Sequence, residues 1–271
     1  MTVVAIQRVS GDRLHAMADS LVADGGPLLA HTCKLMRLPI NVLANASEPS
    51  RHEIGFAFAG STLLENASFG LLSAALSNLC DVDLLRDQSA RPPLLPSLDD
   101  IAEFATHAFS QMVANMGEIK GKTPSSSICL FGQCPIKQEL TAYLIDSQIS
   151  DGKLYFVERR LPLPHDEKTI IFGDPIACDA VKRNAEMGLF MSIQEAIDDK
   201  KIEAVGGHDQ VMVIDRDRVH FPLVLDLDDD GSNTDNLIGL NMHKKRVGRL
   251  SIGGSVFSHV KEGGTFRYRN S

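Results

Sequence analysis

The order in which strand-like and helix-like segments follow one another is what most limits the fold of this chain. Residues 3–9, VVAIQRV, are rich in β-branched side chains. Ser10-Gly11-Asp12 is turn chemistry, and residues 13–18 return as a second strand. A strand-like CKLMRL at 33–38 and a polar loop at 45–52 precede a strand at 54–59, which runs into Gly60-Ser61-Thr62. From residue 62 to 79, Leu63, Leu64, Ala67, Leu71, Ala74, Ala75 and Leu79 recur at helical spacing. After the proline-rich RPPLLPSLDD a second helix spans about 98–116, with Asp99 and Asp100 near its start. Strands are expected at 127–131, 139–146, 153–158 and 169–172, helices at 175–187 and 192–200, and a last strong strand at 210–215. Strands, two helices, strands, two helices, strands: this order predicts an α+β class with two sheets sandwiched between helical layers. Residues 221–271 read as mixed strand and loop, with glycine turns at 253–254 and 263–264. They are taken as a C-terminal extension packed on or beside a domain of residues 2–220.

Composition narrows the classes of function. The 271 residues are 44% apolar, enough for a sizeable core. The net charge of -8 argues against nucleic acid as main partner, since phosphate binding needs a basic face. Cys33, Cys80, Cys129, Cys134 and Cys178 are scattered, without CxxC or Cys/His metal spacing, and read as buried free thiols in a reducing compartment. The N-terminal MTVVAIQRVSGDRLHAM lacks the layout of a signal peptide, and no run of about 18 apolar residues offers a membrane span. A cytoplasmic location is the expectation.

The second residue carries the most chemistry. With Met1 removed, which a small following residue normally permits, Thr2 would hold both a hydroxyl and the α-amine. An α-amine with a pKa of about 7.7–8.0 can take the proton of the adjacent hydroxyl, which otherwise attacks poorly. A strand beginning there would fix both groups in place.

Three further features stand behind Thr2 in order. Asp19 lies in Ala-Asp-Ser after the hairpin, Lys34 lies 32 positions after Thr2 in His-Thr-Cys-Lys-Leu-Met-Arg-Leu, and Ala59-Gly60-Ser61 ends a strand and opens a helix. Together these residues resemble the β-subunits of the proteasome and of the bacterial ATP-dependent protease that shares their fold. Ile-Ile-Phe-Gly-Asp-Pro at 170–175 and the Gly-Gly-His-Asp passage from 206 extend the resemblance over roughly residues 2–220. It implies a four-layer αββα sandwich of the N-terminal-nucleophile hydrolase kind and a threonine-type peptidase. Thr2 would be the nucleophile, Lys34 the charge beside its developing alkoxide, and Asp19 the carboxylate holding that ammonium. The Gly60 N–H would donate to the oxyanion. The resemblance implies peptide or unfolded-protein substrates, self-assembly into rings or helices and an ATP-dependent unfoldase as a partner to look for. No cofactor or metal is expected, and charge and hydropathy speak against nucleic acid and a membrane.

The sequence also departs from that family. Asp174 stands where the family has a serine after the glycine of a strand-to-helix turn. It reads first as an N-cap ahead of Pro175, with a second role toward the α-amine left open. The family's Asp-x-x-Ser before the late Gly-Gly is replaced by IEAVGG at 202–207, with Glu203 as a weak substitute. These departures bear on activity more than fold. They keep two other readings open: a catalytically inactive assembly subunit, and a narrow-specificity amidase or transpeptidase. The acidic run at 226–232 opens like a calcium loop, but its twelfth position is Leu237 rather than a bidentate glutamate. His-Lys-Lys-Arg at 243–246 reads as a surface loop, His165 and His208 have no evident partner, and Ser61 and Ser125–Ser127 lack the setting of a nucleophile elbow.

Overall fold

Strand β1 (Val3–Ser10) turns back into β2 (Arg13–Ala18) through Gly11-Asp12, with a bulge between Arg8 and Ser10. The computed structural model describes residues 2–23, 27–29, 32–43, 49–81, 94–121, 125–150, 153–163, 169–199, 201–216, 218–227, 233–237, 240–241, 246–247, 250–251, 255–258 and 267–270. A short pair, β3 (Val22–Ala23) and β4 (Pro27–Leu29), precedes β5 (Leu35–Leu43) and β6 (Ser50–Ala59). Helix α1 (Thr62–Leu76), β7 (Leu79–Cys80) and α2 (Leu98–Lys120) follow. Then come β8 (Ser127–Gln133), β9 (Leu140–Ser150), β10 (Lys153–Pro162) and β11 (Thr169–Gly173). Helix α3 (Pro175–Arg183), a 3₁₀ turn (Ala185–Met187) and α4 (Leu189–Asp198) lead to β12 (Gln210–Asp215) and β13 (Arg218–His220).

Two sheets organise these elements, the first wholly antiparallel and the second antiparallel except where β7 pairs parallel to β5. One runs β11-β1-β2-β12-β13, the other β10-β9-β8-β6-β5-β7. Successive residues of a strand point to opposite faces, and in the central strands both faces are apolar. Val4, Ile6, Leu14, Ala16, Met212 and Ile214 of the first sheet pack with Leu35, Ala57, Cys129, Phe131, Ala142 and Leu144 of the second. On its other face the first sheet turns Val3, Ala5, Met17, Val211 and Val213 toward α3 and α4. The second turns Leu38, Ile40, Ile54, Phe56, Phe58, Ile128 and Tyr143 toward α1 and α2. Each large apolar side chain so buried stabilises the fold by about 1.5–3 kcal/mol. This two-faced burial explains why VVAI at 3–6 is continuously apolar.

The elements differ from expectation at their edges. Helix α1 stops at Leu76, and Leu79 belongs to β7. Helix α2 runs on to Lys120, opened by a capping box between Ser97 and Asp100 and closed by Gly121 at φ 64°. The helix expected at 175–187 breaks at Arg183, and α4 starts at Leu189 rather than 192. The strand expected at 33–38 lies at 35–43, running through Pro39. Ser50, Arg51 and His52, expected in a loop, open β6. Three of the five expected buried thiols are buried; Cys33 is half-buried and Cys80 exposed.

Beyond His220, β14 (Leu223–Leu227), β15 (Asn233–Leu237) and β16 (Leu240–Asn241) join β19 (Ser255–Ser258) and β20 (Arg267–Asn270) in a sheet ordered β16-β15-β14-β19-β20. A pair, β17 (Arg246–Val247) and β18 (Leu250–Ser251), lies between them in sequence. Among the described residues no strand of this tail joins either of the first two sheets. The acidic turn at 228–232, His165, the lysines of 243–246 and the glycine pairs at 253–254 and 263–264 lie outside the described residues. Among those described, no helix is long and apolar enough to cross a membrane, and no group of three metal-ligating side chains gathers.

Candidate functional site

Thr2 sits where β1 enters the first sheet, fully buried. Two neighbouring strands hold it. The Val3–Gly173 pairing of β1 with β11 brings the Asp174 N–H to the Thr2 carbonyl oxygen at 2.6 Å. The Val4–Ala18 pairing of β1 with β2 carries Asp19 to the Thr2 side chain. Gly173 adopts φ +123°, and a side chain there would collide with the Thr2 carbonyl, so only glycine lets β11 approach this closely.

The Asp19 carboxylate is the hub. Its Oδ1 accepts from the Thr2 hydroxyl and, at 3.0 Å, from Val3 N–H. Its Oδ2 accepts from Leu21 N–H at 3.2 Å and Gly206 N–H at 3.4 Å. Four donors fill the four lone-pair positions of a carboxylate. Burial pushes its pKa up, opposed by the Thr2 hydroxyl, the Lys34 charge and the Val3 and Gly206 N–H groups.

Lys34, just ahead of β5, is buried to 1% exposure. The hydrogen bond expected from its ammonium to Asp19 is not formed, because backbone groups and Thr2 already occupy that carboxylate. The Lys34 charge acts on Asp19 through space. Among the described residues its side chain has no ion pair within 4.0 Å.

The remaining expected positions divide. Asp174 is the N-cap of α3: its Oδ1 accepts from Ile176 N–H and Ala177 N–H, each at 3.0 Å. Its side chain thus faces the helix, while its backbone faces Thr2. Gly60, at φ +134°, follows the end of β6. A Cβ there would lie 2.8 Å from the Ser125 carbonyl oxygen, so the 125–126 segment already dictates glycine. Among the described residues Gly60 shares no hydrogen bond with Thr2, Asp19, Lys34 or Asp174. Glu203 is exposed, and the late glycine turn reaches the site through backbone instead. Gly206 gives its N–H to Asp19 and takes Ser20 N–H at 3.3 Å and Leu21 N–H at 3.0 Å.

Two site residues escaped the sequence reading. Gln210, fully buried at the start of β12, accepts from Lys34 N–H at 2.8 Å and Leu35 N–H at 3.4 Å. It donates to the Asp19 carbonyl at 3.3 Å and to the Thr32 carbonyl, so one amide ties the segments bearing Asp19 and Lys34 together. Glu65, in the first turn of α1, is the second. It is fully buried, and neither carboxyl oxygen has a hydrogen-bond partner among the described residues. Burial pushes its pKa up to about 8; the Lys34 charge pulls the other way and Asp19 adds to the rise. An acidic residue in a first helical turn ordinarily complements the helix dipole, which hides this one in sequence.

The sequence matches no protein-family profile and no curated protein. Among solved structures the chain is similar to Anbu (ancestral beta-subunit) from Yersinia bercovieri, at a TM-score of 0.50 and 15% identity, over 82% of this chain and 86% of that one. The fold is proteasome-like. At that identity the likeness reaches the fold alone, so the chemistry rests on the residues described above.

Proposed function

We propose that this chain is a threonine-type hydrolase of the N-terminal-nucleophile class, built as a four-layer αββα sandwich over residues 2–220, with 221–271 as its extension. The observation that carries the reading is the buried hydrogen bond from the Thr2 hydroxyl to Asp19, beside a buried Lys34. With Met1 removed, the α-amine accepts the hydroxyl proton as Thr2 Oγ1 attacks an amide carbonyl carbon. The Lys34 charge stabilises the developing negative charge, and the Gly60 N–H is the proposed donor to the oxyanion. The carbon–nitrogen bond breaks as the ammonium returns its proton to the leaving amine, leaving an ester on Thr2. Water then cleaves that ester to the acid. Asp19 orients the Thr2 hydroxyl, and the Asp174 backbone fixes the Thr2 carbonyl. Substrates are peptides or unfolded chains, reached by a cytoplasmic assembly of several copies, with an ATP-dependent unfoldase as the partner to seek.

The complete burial of Thr2 favours a second reading, a catalytically inactive assembly subunit. Intact mass of the protein before and after an epoxyketone electrophile separates the two. Loss of Met1 and one stoichiometric adduct, absent from Thr2→Ala, is the expected result. Retained Met1 would sink the threonine mechanism and leave the assembly subunit.

A further inference from the structure

A buried carboxyl with no hydrogen-bond partner is a costly feature, more so when it carries a charge. Native chains keep few of them. Among the described residues Glu65 is such a group, and it lies in the field of the two ionisable residues of the threonine site. Helix α1 carries no other charged side chain. Lys34, leading into β5, and Asp19, at the end of β2, are the charges that act on Glu65. Cys33, whose thiol is pushed up to about 12 chiefly by burial, with Glu65 adding to the rise, is the third titratable neighbour. From α2, the uncharged Met112 accepts from the Ser68 hydroxyl, and the α2 side chains in the cluster with Leu64 and Leu72 are apolar.

The bonding around Asp19 gives Glu65 its importance. All four acceptor positions of Asp19 are used, so it has none left for the Lys34 ammonium. Among the described residues neither Glu65 carboxyl oxygen has a hydrogen-bond partner, and the buried Lys34 side chain makes no ion pair within 4.0 Å.

Resting on the threonine reading above, we propose that Glu65 is a positioning residue of that site: the proton on its carboxyl decides whether the Lys34 charge serves Thr2 or is drawn toward α1. A protonated Glu65 is neutral and leaves the ammonium to the Asp19–Thr2 side. An ionised Glu65 competes for it, and the alkoxide forming on Thr2 loses part of its stabilisation. Burial holds Glu65 protonated at neutral pH, since its pKa stands at about 8. The proton lost on ionisation passes to solvent, and no bond is made or broken.

Two measurements test this. The first is the pH profile of Thr2 labelling by the epoxyketone in wild type and Glu65→Gln, whose side chain cannot ionise. The free α-amine raises the wild-type rate through pH of about 8, while ionising Glu65 restrains it. The ratio of the rate at pH 9 to that at pH 7 should therefore be at least threefold larger in Glu65→Gln. Equal ratios would overturn the proposal while leaving Thr2 as the nucleophile. A wild type that takes no label overturns the threonine reading and the positioning role together. The second measurement is the carboxyl titration of Glu65 by carbon-13 NMR, assigned by its absence in Glu65→Gln, which needs no activity. The midpoint should lie near 8 in wild type, rise in Lys34→Met and fall in Asp19→Asn. A midpoint in the ordinary glutamate range overturns the proposal from wild type alone, even if neither variant folds. So does a midpoint that neither substitution moves.

Discussion

Where Gly173 runs beside Thr2, the geometry leaves no room for a single methyl group. At φ +123° an alanine would be strained as well as blocked by the Thr2 carbonyl oxygen. The strain can be relieved only by moving β11 or the residue that carries the hydroxyl. Gly173→Ala is therefore expected to cost about 1–3 kcal/mol in stability and to slow Thr2 labelling by 10- to 100-fold, because displacing a nucleophile by about 1 Å costs that much. Denaturant midpoints and labelling rates read the two effects separately. A destabilised variant that labels at the wild-type rate would show that the β11 contact does not place Thr2. Asp19 belongs to the same scale. Its four bonds make it an anchor for the β1–β2 end as much as a partner of Thr2, a division of labour that the residue type alone does not reveal.

At the scale of elements, Asp174 shows how one position can serve two partners through different atoms. Its carboxylate caps α3 and its backbone N–H holds Thr2. Asp174→Ala removes the first and keeps the second. The expected outcome is a loss of about 1 kcal/mol, typical of an N-cap, with labelling within about threefold of wild type. A fall in labelling of 100-fold without a matching loss of stability would instead assign the carboxylate to the reaction. The cap was legible in the sequence because Gly-Asp-Pro is local chemistry: one residue accepts from the two N–H groups that follow Pro175. The hairpin of β1 and β2, and β12, were legible for the same reason, their turns and β-branched runs being complete in themselves. β5 was misjudged because its limit depends on neighbours. Among the described residues β7 pairs with Val42 and Leu43 alone, which leaves Pro39 an unpaired side where a residue without an N–H is tolerated. Gln210 and Glu65 were illegible for a stronger reason. Their significance lies entirely in groups that are 176 positions away for Gln210 and Lys34, or brought in by another strand for Glu65. No spacing rule connects them.

At the scale of the whole molecule, His15 and Glu65 among the described residues should shape the dependence of stability on pH with opposite signs, and Asp19, also raised by burial, acts in the same direction as Glu65. His15, on β2, is held down to about 4 from 6.5, mainly by burial, with the Arg13 charge adding to the effect. The unfolded chain takes up its proton below pH 6.5 and the folded chain does not, so His15 lowers stability as pH falls from 6.5 toward 4, by roughly 3 kcal/mol at most. Glu65 is raised from 4.5 to about 8. The folded chain keeps that proton after the unfolded chain has released it, so stability falls as pH rises from 4.5 to 8, by on the order of 4 kcal/mol. Between 4.5 and 6.5 the two slopes largely cancel, and from 6.5 to 8 that of Glu65 acts without the opposing histidine. Urea unfolding followed by circular dichroism should show wild-type stability declining across pH 6.5–8, and the same curve clearly shallower in Glu65→Gln. Glutamine keeps the shape of the side chain and cannot ionise, so a slope that survives the substitution unchanged would have to come from another group. In that case the buried carboxyl of α1 would be neither the reservoir of the proton nor the cause of the molecule's sensitivity to alkali.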